Sequence, residues 1–255
     1  ERIVNFCTKC GTAFSDLEVE YVEKEDALYS LDYGPIQIAT TRPETIFADV
    51  AVAVNPKDKR YQKLVGQKAV IPLINVEIPI LTDDEIDLQF GTGALKVTPA
   101  YDPVDFEIGQ KNNLEIISVI NRQGKLFASK RVPPELVGLR MNQARQQTVA
   151  MLKTAGKLIK QEPLTHNVGT CYRCGTTIEP MVIPQWYLKT KALAKPAIEA
   201  VKKGETKIVP GKRFEKLYFD WMEKIKDWNI SRQIVWGPRI PVWYCLDCNP
   251  EIQIN

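Results

Sequence analysis

Histidine is almost missing from this chain: one residue, His166, in 255. A hydrolase built on a Ser-His-Asp relay needs an imidazole beside its nucleophile. His166 instead stands five residues before a cysteine motif, away from the polar motifs of the first hundred residues, so that mechanism is disfavoured. No apolar run reaches bilayer length, no signal peptide can be read, and no segment is of low complexity. Excess charge of one sign is also lacking, since the net charge is only +3. Lys and Arg gather between Thr190 and Arg239, while Asp83 to Asp87 is acidic. Such mild local basicity is compatible with RNA contact and equally with an ordinary solvated surface.

What is present is enough for one large or two ordinary globular units: 44% hydrophobic and 25% charged residues. The six cysteines all fall in Cys-x-x-Cys pairs, and two of these read nearly alike, Cys7-Thr8-Lys9-Cys10-Gly11-Thr12 and Cys171-Tyr172-Arg173-Cys174-Gly175-Thr176. Each pair supplies two thiolates on a tight turn that Gly11 or Gly175 allows, so the two together complete a four-sulfur shell for zinc. A four-thiolate site keeps no open position for water, which makes it structural rather than catalytic. Disulfides are the competing account, but the absence of a signal peptide points to a reducing cytoplasm. The third pair, Cys245 and Cys248, lacks the Gly-Thr and is read as half of a second, truncated site. No partner cysteines follow it, and the chain is expected to be a piece of a longer polypeptide. His166 is expected to pack near the thiolates.

Periodicity predicts many short strands. Leu17, Val19 and Tyr21 alternate with Glu18 and Glu20, the pattern of a half-buried strand leaving the first knuckle in a β ribbon. Short apolar stretches follow at Ile36 to Ala39, Val50 to Val54, Ala69 to Ile71, Ile78 to Leu81 and Ala94 to Val97, separated by Pro, Gly, Asn and Asp. Strands at such close spacing favour a barrel or sandwich. Pro103 to Asn113 and Met141 to Gly156 read as helices, so about Leu31 to Pro163 forms one α+β block. Beyond the second knuckle, Ala192 to Lys203 and Phe214 to Trp228 are helical, and Trp236 to Tyr244 reads as a strand entered through a Gly-Pro turn.

Two polar motifs exceed what packing requires. Thr40-Thr41-Arg42-Pro43-Glu44-Thr45 follows a strand directly, and Pro43 restrains Arg42 to an extended conformation. In the run from Phe90 to Asp105, Gly91 and Gly93 permit close backbone approach, and alternation puts Lys96 and Thr98 on one strand face. Asp102 and Asp105 then sit at a helix start, where Asp102 is also a good N-cap beside Pro103.

ATTRPET (Ala39 to Thr45), FGTGALKVTPAYDPVDF (Phe90 to Phe106), THNVGTCYRCGTTIEP (Thr165 to Pro180) and ISRQIVWGPRIPVWYC (Ile230 to Cys245) resemble the valyl-tRNA synthetases over essentially the whole chain. The resemblance implies an α+β architecture in which a β-barrel-like editing domain (31–164) is inserted between zinc-ribbon stems (1–30 and 165–185). It is followed by an incomplete helical and α/β start of the returning catalytic half (186–255), expected to pack poorly alone. The activation signatures His-Ile-Gly-His and Lys-Met-Ser-Lys-Ser are absent. ATP would therefore be used only by the full-length parent.

The activity implied is post-transfer editing, hydrolysis of the threonyl ester wrongly attached to the tRNA for valine. A hydrophobic pocket shaped for valine cannot strongly reject isosteric threonine, whereas a polar second pocket can select its hydroxyl. By the same resemblance Asp105 holds the substrate α-ammonium, with Asp102 near its hydroxyl or the attacking water. Thr40, Thr41, Arg42, Thr45, Lys96 and Thr98 line the pocket, with Thr45 and Lys96 also placed in the catalytic set. Zinc is held by Cys7, Cys10, Cys171 and Cys174. The implied partners are the tRNA acceptor end, the mischarged ester and the rest of the parent; no membrane is implied, and the protein is expected to be cytoplasmic and monomeric. Two departures stand out, Tyr101 and Pro238 where the family usually has histidine. Two rival readings stay open. One is a noncatalytic zinc-ribbon module gripping tRNA through Lys202, Lys203, Lys207, Lys212 and Arg213. The other is an isoleucyl editing domain, against which Lys96 argues.

Overall fold

Apolar runs of four to seven residues, each closed by a turn-forming residue, fold here as short strands. The computed structural model describes residues 2–245, 247 and 248; Glu1, Leu246 and 249–255, which complete the expected outer segments, lie outside the described residues. In chain order the strands of the first half are β1 (Arg2–Cys7), β2 (Thr12–Phe14), β3 (Val19–Asp32), β4 (Gln37–Thr40), β5 (Ala51–Val54), β6 (Lys68–Ile71), β7 (Val76–Thr82) and β8 (Ala94–Val97). Helices α1 (Pro103–Lys111) and α2 (Met141–Thr154) precede β9 (Leu158–Cys171), β10 (Glu179–Ile183) and β11 (Tyr187–Leu188). The last elements are α3 (Thr190–Lys202), α4 (Lys212–Glu223) and β12 (Trp228–Asn229). The chain is mixed α and β, with several sheets and few helices.

The strands form four open sheets, ordered β10-β1-β2, β4-β3-β9, β6-β7-β5-β8 and β11-β12, and the expected barrel does not close among the described residues. The reason is local: β4 stops at Thr40, and Pro43 starts a 3-10 turn to Ala48 that carries the chain off the sheet before β4 can pair with β8. β5 explains the long apolar run. All four of its residues are buried, Val52 and Val54 in the main core, Ala51 and Ala53 in a second core with Val97 and Ile108. A strand buried on both faces needs no polar alternation. The main core also takes Leu31, Tyr33, Ile38, Ile46 and Phe47, each with no exposed surface, a burial worth about 2 kcal/mol per large side chain.

The ribbon is present but its burial differs from expectation. β3 and β9 pair antiparallel from Val19 with Cys171 to Leu31 with Leu158. Leu17 lies in a 3-10 turn, and Leu17 and Tyr21 are 77% and 69% exposed. Val19 packs on the small cluster of Cys7, Phe14 and Cys171, but Leu17 falls in the turn before the strand and Tyr21 stays exposed, so the alternation marks no continuous buried face. After the second knuckle, α4 ends at Glu223, five residues before the expected stop, because Trp228 pairs with Leu188 in β12. The strand expected from Trp236 to Tyr244 is not formed: it finds no pairing partner among the described residues, and Trp236 and Trp243 stay 92% and 85% exposed. α4 buries no residue, so this part of the chain is thinly packed.

One glycine brings the two polar motifs together. Gly91 has φ +59°, and a Cβ there would come within 2.7 Å of the Ala39 Cβ, immediately before Thr40. Gly91→Ala therefore meets both backbone strain and overlap, and should lower stability in urea by about 1–3 kcal/mol. A loss below about 0.5 kcal/mol, the range of an ordinary surface change, would show that this approach is not tight.

Candidate functional site

β8 pairs with β5 through Val52 opposite Lys96, which turns a lysine into the buried interior. An ammonium out of water must find partners, and Lys96 Nζ donates to Thr45 Oγ1 at 3.0 Å, Thr98 Oγ1 at 2.6 Å and Asp49 Oδ1 at 3.2 Å. All three of its protons are used. Asp49 in turn accepts from the Thr98 hydroxyl at 2.7 Å and, through Oδ2, from the Tyr33 hydroxyl at 2.7 Å. Burial raises the Asp49 carboxyl, and Lys96 opposes that rise.

Asp105 lies one turn into α1. Asp102 caps that helix, its Oδ1 accepting the Val104 and Asp105 N–H groups at 2.8 and 3.2 Å. Asp105 Oδ2 accepts the Thr98 N–H at 2.8 Å, while Oδ1 is buried with no hydrogen-bond partner among the described residues. Burial, then the neighbouring Asp102 charge, pushes the Asp105 carboxyl up to about 7. Asp102 itself is exposed.

The loop from Thr40 to Thr45 is bound from both ends. Thr40 Oγ1 accepts the Arg42 N–H at 3.0 Å, and the Thr45 hydroxyl donates to the Arg42 carbonyl at 2.9 Å. Arg42 reaches Glu44 Oε1 at 3.2 Å and Glu179 Oε2 at 2.6 Å. Arg145 grips both Glu44 oxygens at 2.9 Å and extends to Asp26 Oδ2 at 2.9 Å. Burial would raise the Glu44 carboxyl, but Arg42 and Arg145 together hold it below its usual range.

Among the residues singled out from sequence, the structure thus gathers Thr45, Lys96, Thr98 and Asp105 into one bonded set, with Thr40 and Arg42 adjoining it. Asp102 stands at its exposed margin, and Thr41 is half-buried. Sequence reasoning missed Asp49, Tyr33, Arg145 and Glu179. For Asp49 a signal existed, the one charged side chain in the run Ile46 to Val54. Tyr101 does not replace an imidazole in this set: its hydroxyl accepts the Val119 and Ile120 N–H groups at 2.5 and 2.6 Å. Clefts of about 350 Å³ beside Tyr101 and Met181, and about 460 Å³ beside Tyr29 and Arg145, are not lined by Lys96 or Asp105.

The four cysteines of the two knuckles converge, with all four Sγ atoms within 4.8 Å of one another. Gly11 and Gly175 both take positive φ and both donate to the carbonyl four residues back, Cys7 and Cys171, so the knuckles are equivalent in shape. The Cys10 N–H donates to Cys7 Sγ at 3.3 Å. Four sulfurs at this spacing can hold one metal ion, and the donor set fits zinc. Cys245 and Cys248 lie 2.8 Å apart as a separate pair. His166 pairs with Lys24 across the ribbon, its Nε2 3.9 Å from Asp26 Oδ2. Five strand positions, about 16 Å, separate it from Cys171, so it does not pack on the thiolates.

The model of a protein family described as tRNA synthetases class I (I, L, M and V) matches residues 1–255. The valine–tRNA ligase of Clostridium perfringens is 52% identical over the whole chain, that of Clostridium acetobutylicum 51% over 98% of it, and that of Thermus thermophilus 50% over 97%. The chain spans 29% of the length of each. Among solved structures, the ternary complex of Agrobacterium radiobacter LeuRS with tRNA and LeuAMS aligns at a TM-score of 0.38 and 16% identity, covering 65% of this chain and 25% of that one; so loose a likeness carries no weight.

Asp105 gives the site a pH signature. The folded chain holds a proton that the unfolded chain releases from about pH 4 upward, so stability falls as pH rises from there to about 7. Asp105→Asn removes this penalty. It should stabilise the fold by a few kcal/mol at pH 8, at about 1.4 kcal/mol per pH unit of the interval, and by almost nothing at pH 4. An equal effect at both pH values in denaturant titrations would contradict the assignment.

Proposed function

The chain belongs to the class I tRNA synthetases of the I, L, M and V group, and from that premise we propose that it carries the editing activity of a valine–tRNA ligase, hydrolysing threonyl esters wrongly attached to the tRNA for valine. The observation that carries this reading is Asp105 Oδ1, a buried carboxylate oxygen with no partner beside a wall of hydroxyl and ammonium groups. An aminoacyl ester brings the cation that this oxygen lacks, and a charge-assisted hydrogen bond is the cheapest way to satisfy it.

Asp105 would take the substrate α-ammonium, and Thr45, Lys96 and Thr98 would present the polar wall that favours a threonine hydroxyl over a valine methyl. Thr40, Thr41 and Arg42 would frame the pocket from the loop side. Asp102 uses Oδ1 to cap α1, and its second oxygen would orient the attacking water. Water oxygen bonds to the ester carbonyl carbon, the bond from that carbon to the ribose oxygen breaks, and the water proton ends on the departing ribose hydroxyl. The neighbouring free hydroxyl of the same ribose assists, and positioning supplies much of the rate. Selection of threonine fits the polar wall better than selection of valine, which favours the valyl over the isoleucyl reading.

In this reading residues 1–30 and 165–185 are stems, 31–164 the editing unit and 186–255 the start of a returning catalytic half. Cys7, Cys10, Cys171 and Cys174 would hold zinc as a structural tie, with no position left open for substrate. The thiols fit a reducing cytoplasm; the chain would act as a monomer, and ATP would be handled by a longer ligase. No helix among the described residues is long and apolar enough to cross a membrane.

The test is hydrolysis of threonyl- and valyl-tRNA for valine at stoichiometric protein, with Asp105→Ala beside the unchanged chain. Preferential loss of the threonyl ester, reduced at least about 100-fold by Asp105→Ala, is expected from removing an anchor that orients the reacting group. Binding without turnover that weakens steeply with salt would instead support an RNA-holding module. Turnover indifferent to Asp105→Ala would remove the ammonium role.

A further inference from the structure

Arg42 sits at the centre of the Thr40 to Thr45 loop, and its guanidinium is held between two carboxylates, Glu44 and Glu179. The two contacts differ in kind. Glu44 lies two residues away on the same turn and moves with it, whereas Glu179 comes from 137 residues further along the chain. Glu179 opens β10 and pairs with Phe6 of β1, in the sheet that leads to both cysteine knuckles. Its carboxylate is buried, and among the described residues no other cation is bonded to it. Arg145 from α2 independently holds the next turn at Glu44 and ties it to Asp26 of β3. Asp26, Glu44 and Glu179 thus face Arg42 and Arg145, one carboxylate more than guanidinium groups.

We infer that Glu179 is a positioning residue for the editing reaction, acting through Arg42 to fix where the Thr40 to Thr45 loop stands against Lys96. The inference rests on the editing reading for its kinetic consequence, while the loop contact itself is geometric. With Glu179 gone, Arg145 still anchors the turn at Glu44, so the core under the loop keeps its support. The first half of the loop, whose Arg42 carbonyl accepts the Thr45 hydroxyl, loses its long-range tie. Thr45 Oγ1 is also an acceptor of Lys96, so a shift of the loop reaches the polar wall directly. Displacement on the order of 1 Å costs roughly 100-fold in rate in well-positioned sites.

The experiment compares Glu179→Ala and the isosteric Glu179→Gln with the unchanged chain. The readouts are single-turnover deacylation over a range of protein concentration and amide hydrogen exchange of residues 40–45. Glu179→Ala should lower the maximal rate about 10–100-fold with half-saturation little changed, because Asp105 still anchors the ammonium. Glu179→Gln keeps an acceptor for Arg42 but removes its negative charge, so a several-fold loss, smaller than that of Glu179→Ala, should remain. Exchange at 40–45 should quicken in Glu179→Ala and stay unchanged in 94–97 and 103–111. Unchanged rate together with unchanged exchange would overturn the inference, as would faster exchange spread evenly over the fold, the mark of a merely structural residue. Should Glu179→Ala fail to fold, Glu179→Gln decides alone: a several-fold rate loss with local loosening supports the inference, and parity with the unchanged chain refutes it. If the unchanged chain does not deacylate, the editing reading fails, and the exchange measurement still decides whether Glu179 holds the loop.

Discussion

A lysine ammonium taken out of water must be compensated, and the candidate site is arranged around that demand. Lys96 reaches Asp49 from β8, and Asp49 sits at the entrance to β5, the strand that both cores share. Leaving either charge alone in this interior would cost about 3–5 kcal/mol, so the pair commits three chain segments to one geometry. Thr45 is drawn in from the loop after β4, and Thr98 from the end of β8. The backbone of Thr98 then fixes Asp105 through its N–H. Within this bonded set Asp105 Oδ1 is the buried side-chain atom left without a hydrogen-bond partner among the described residues.

That exception gives the site its chemical direction. A buried carboxylate kept from its usual ionisation range is costly in the empty protein, and a ligand that brings a cation relieves the cost on binding. The second network, Arg42 and Arg145 among Asp26, Glu44 and Glu179, is of a different sort. Its donors and acceptors answer one another across the loop, β3, α2 and β10, and it reads as scaffolding for the hydroxyl-bearing loop rather than as a reacting group. In the proposed reading, binding and positioning would divide between two clusters that meet at Thr45, whose hydroxyl touches Lys96 in one and the Arg42 carbonyl in the other.

Much of this was legible in sequence, and the failures have physical causes. β4, β5, β6, β7 and β8 fall on the predicted apolar stretches, because short runs closed by Pro, Gly, Asn or Asp have few other solutions. The cysteine cluster was legible because two knuckles of identical spacing can satisfy one metal only by meeting. Barrel closure was not, since strand count says nothing of where Pro43 diverts the chain. Alternation at Leu17 to Tyr21 misled because only Val19 finds a cluster to pack on, while Leu17 falls in a turn and Tyr21 stays exposed. His166, close to Cys171 in sequence, is carried away from it by an extended strand. Glu179 and Arg145 could not be paired with the loop from sequence, because their partners lie more than a hundred residues away. Asp49 could have been noticed, since a lone acid in an apolar run has to be paired or functional.

The central claim is that the unpartnered oxygen of Asp105 receives the substrate ammonium. The most direct measurement is the affinity of a non-hydrolysable threonyl-adenosine amide, beside the same molecule lacking its α-amino group, titrated from pH 5.5 to 7.5. The account predicts tighter binding of the amine as the Asp105 carboxylate ionises toward about 7. It also predicts an advantage over the des-amino molecule of about 2 kcal/mol, as for a hydrogen bond between charged groups. Equal affinities for the two molecules across that range would contradict it.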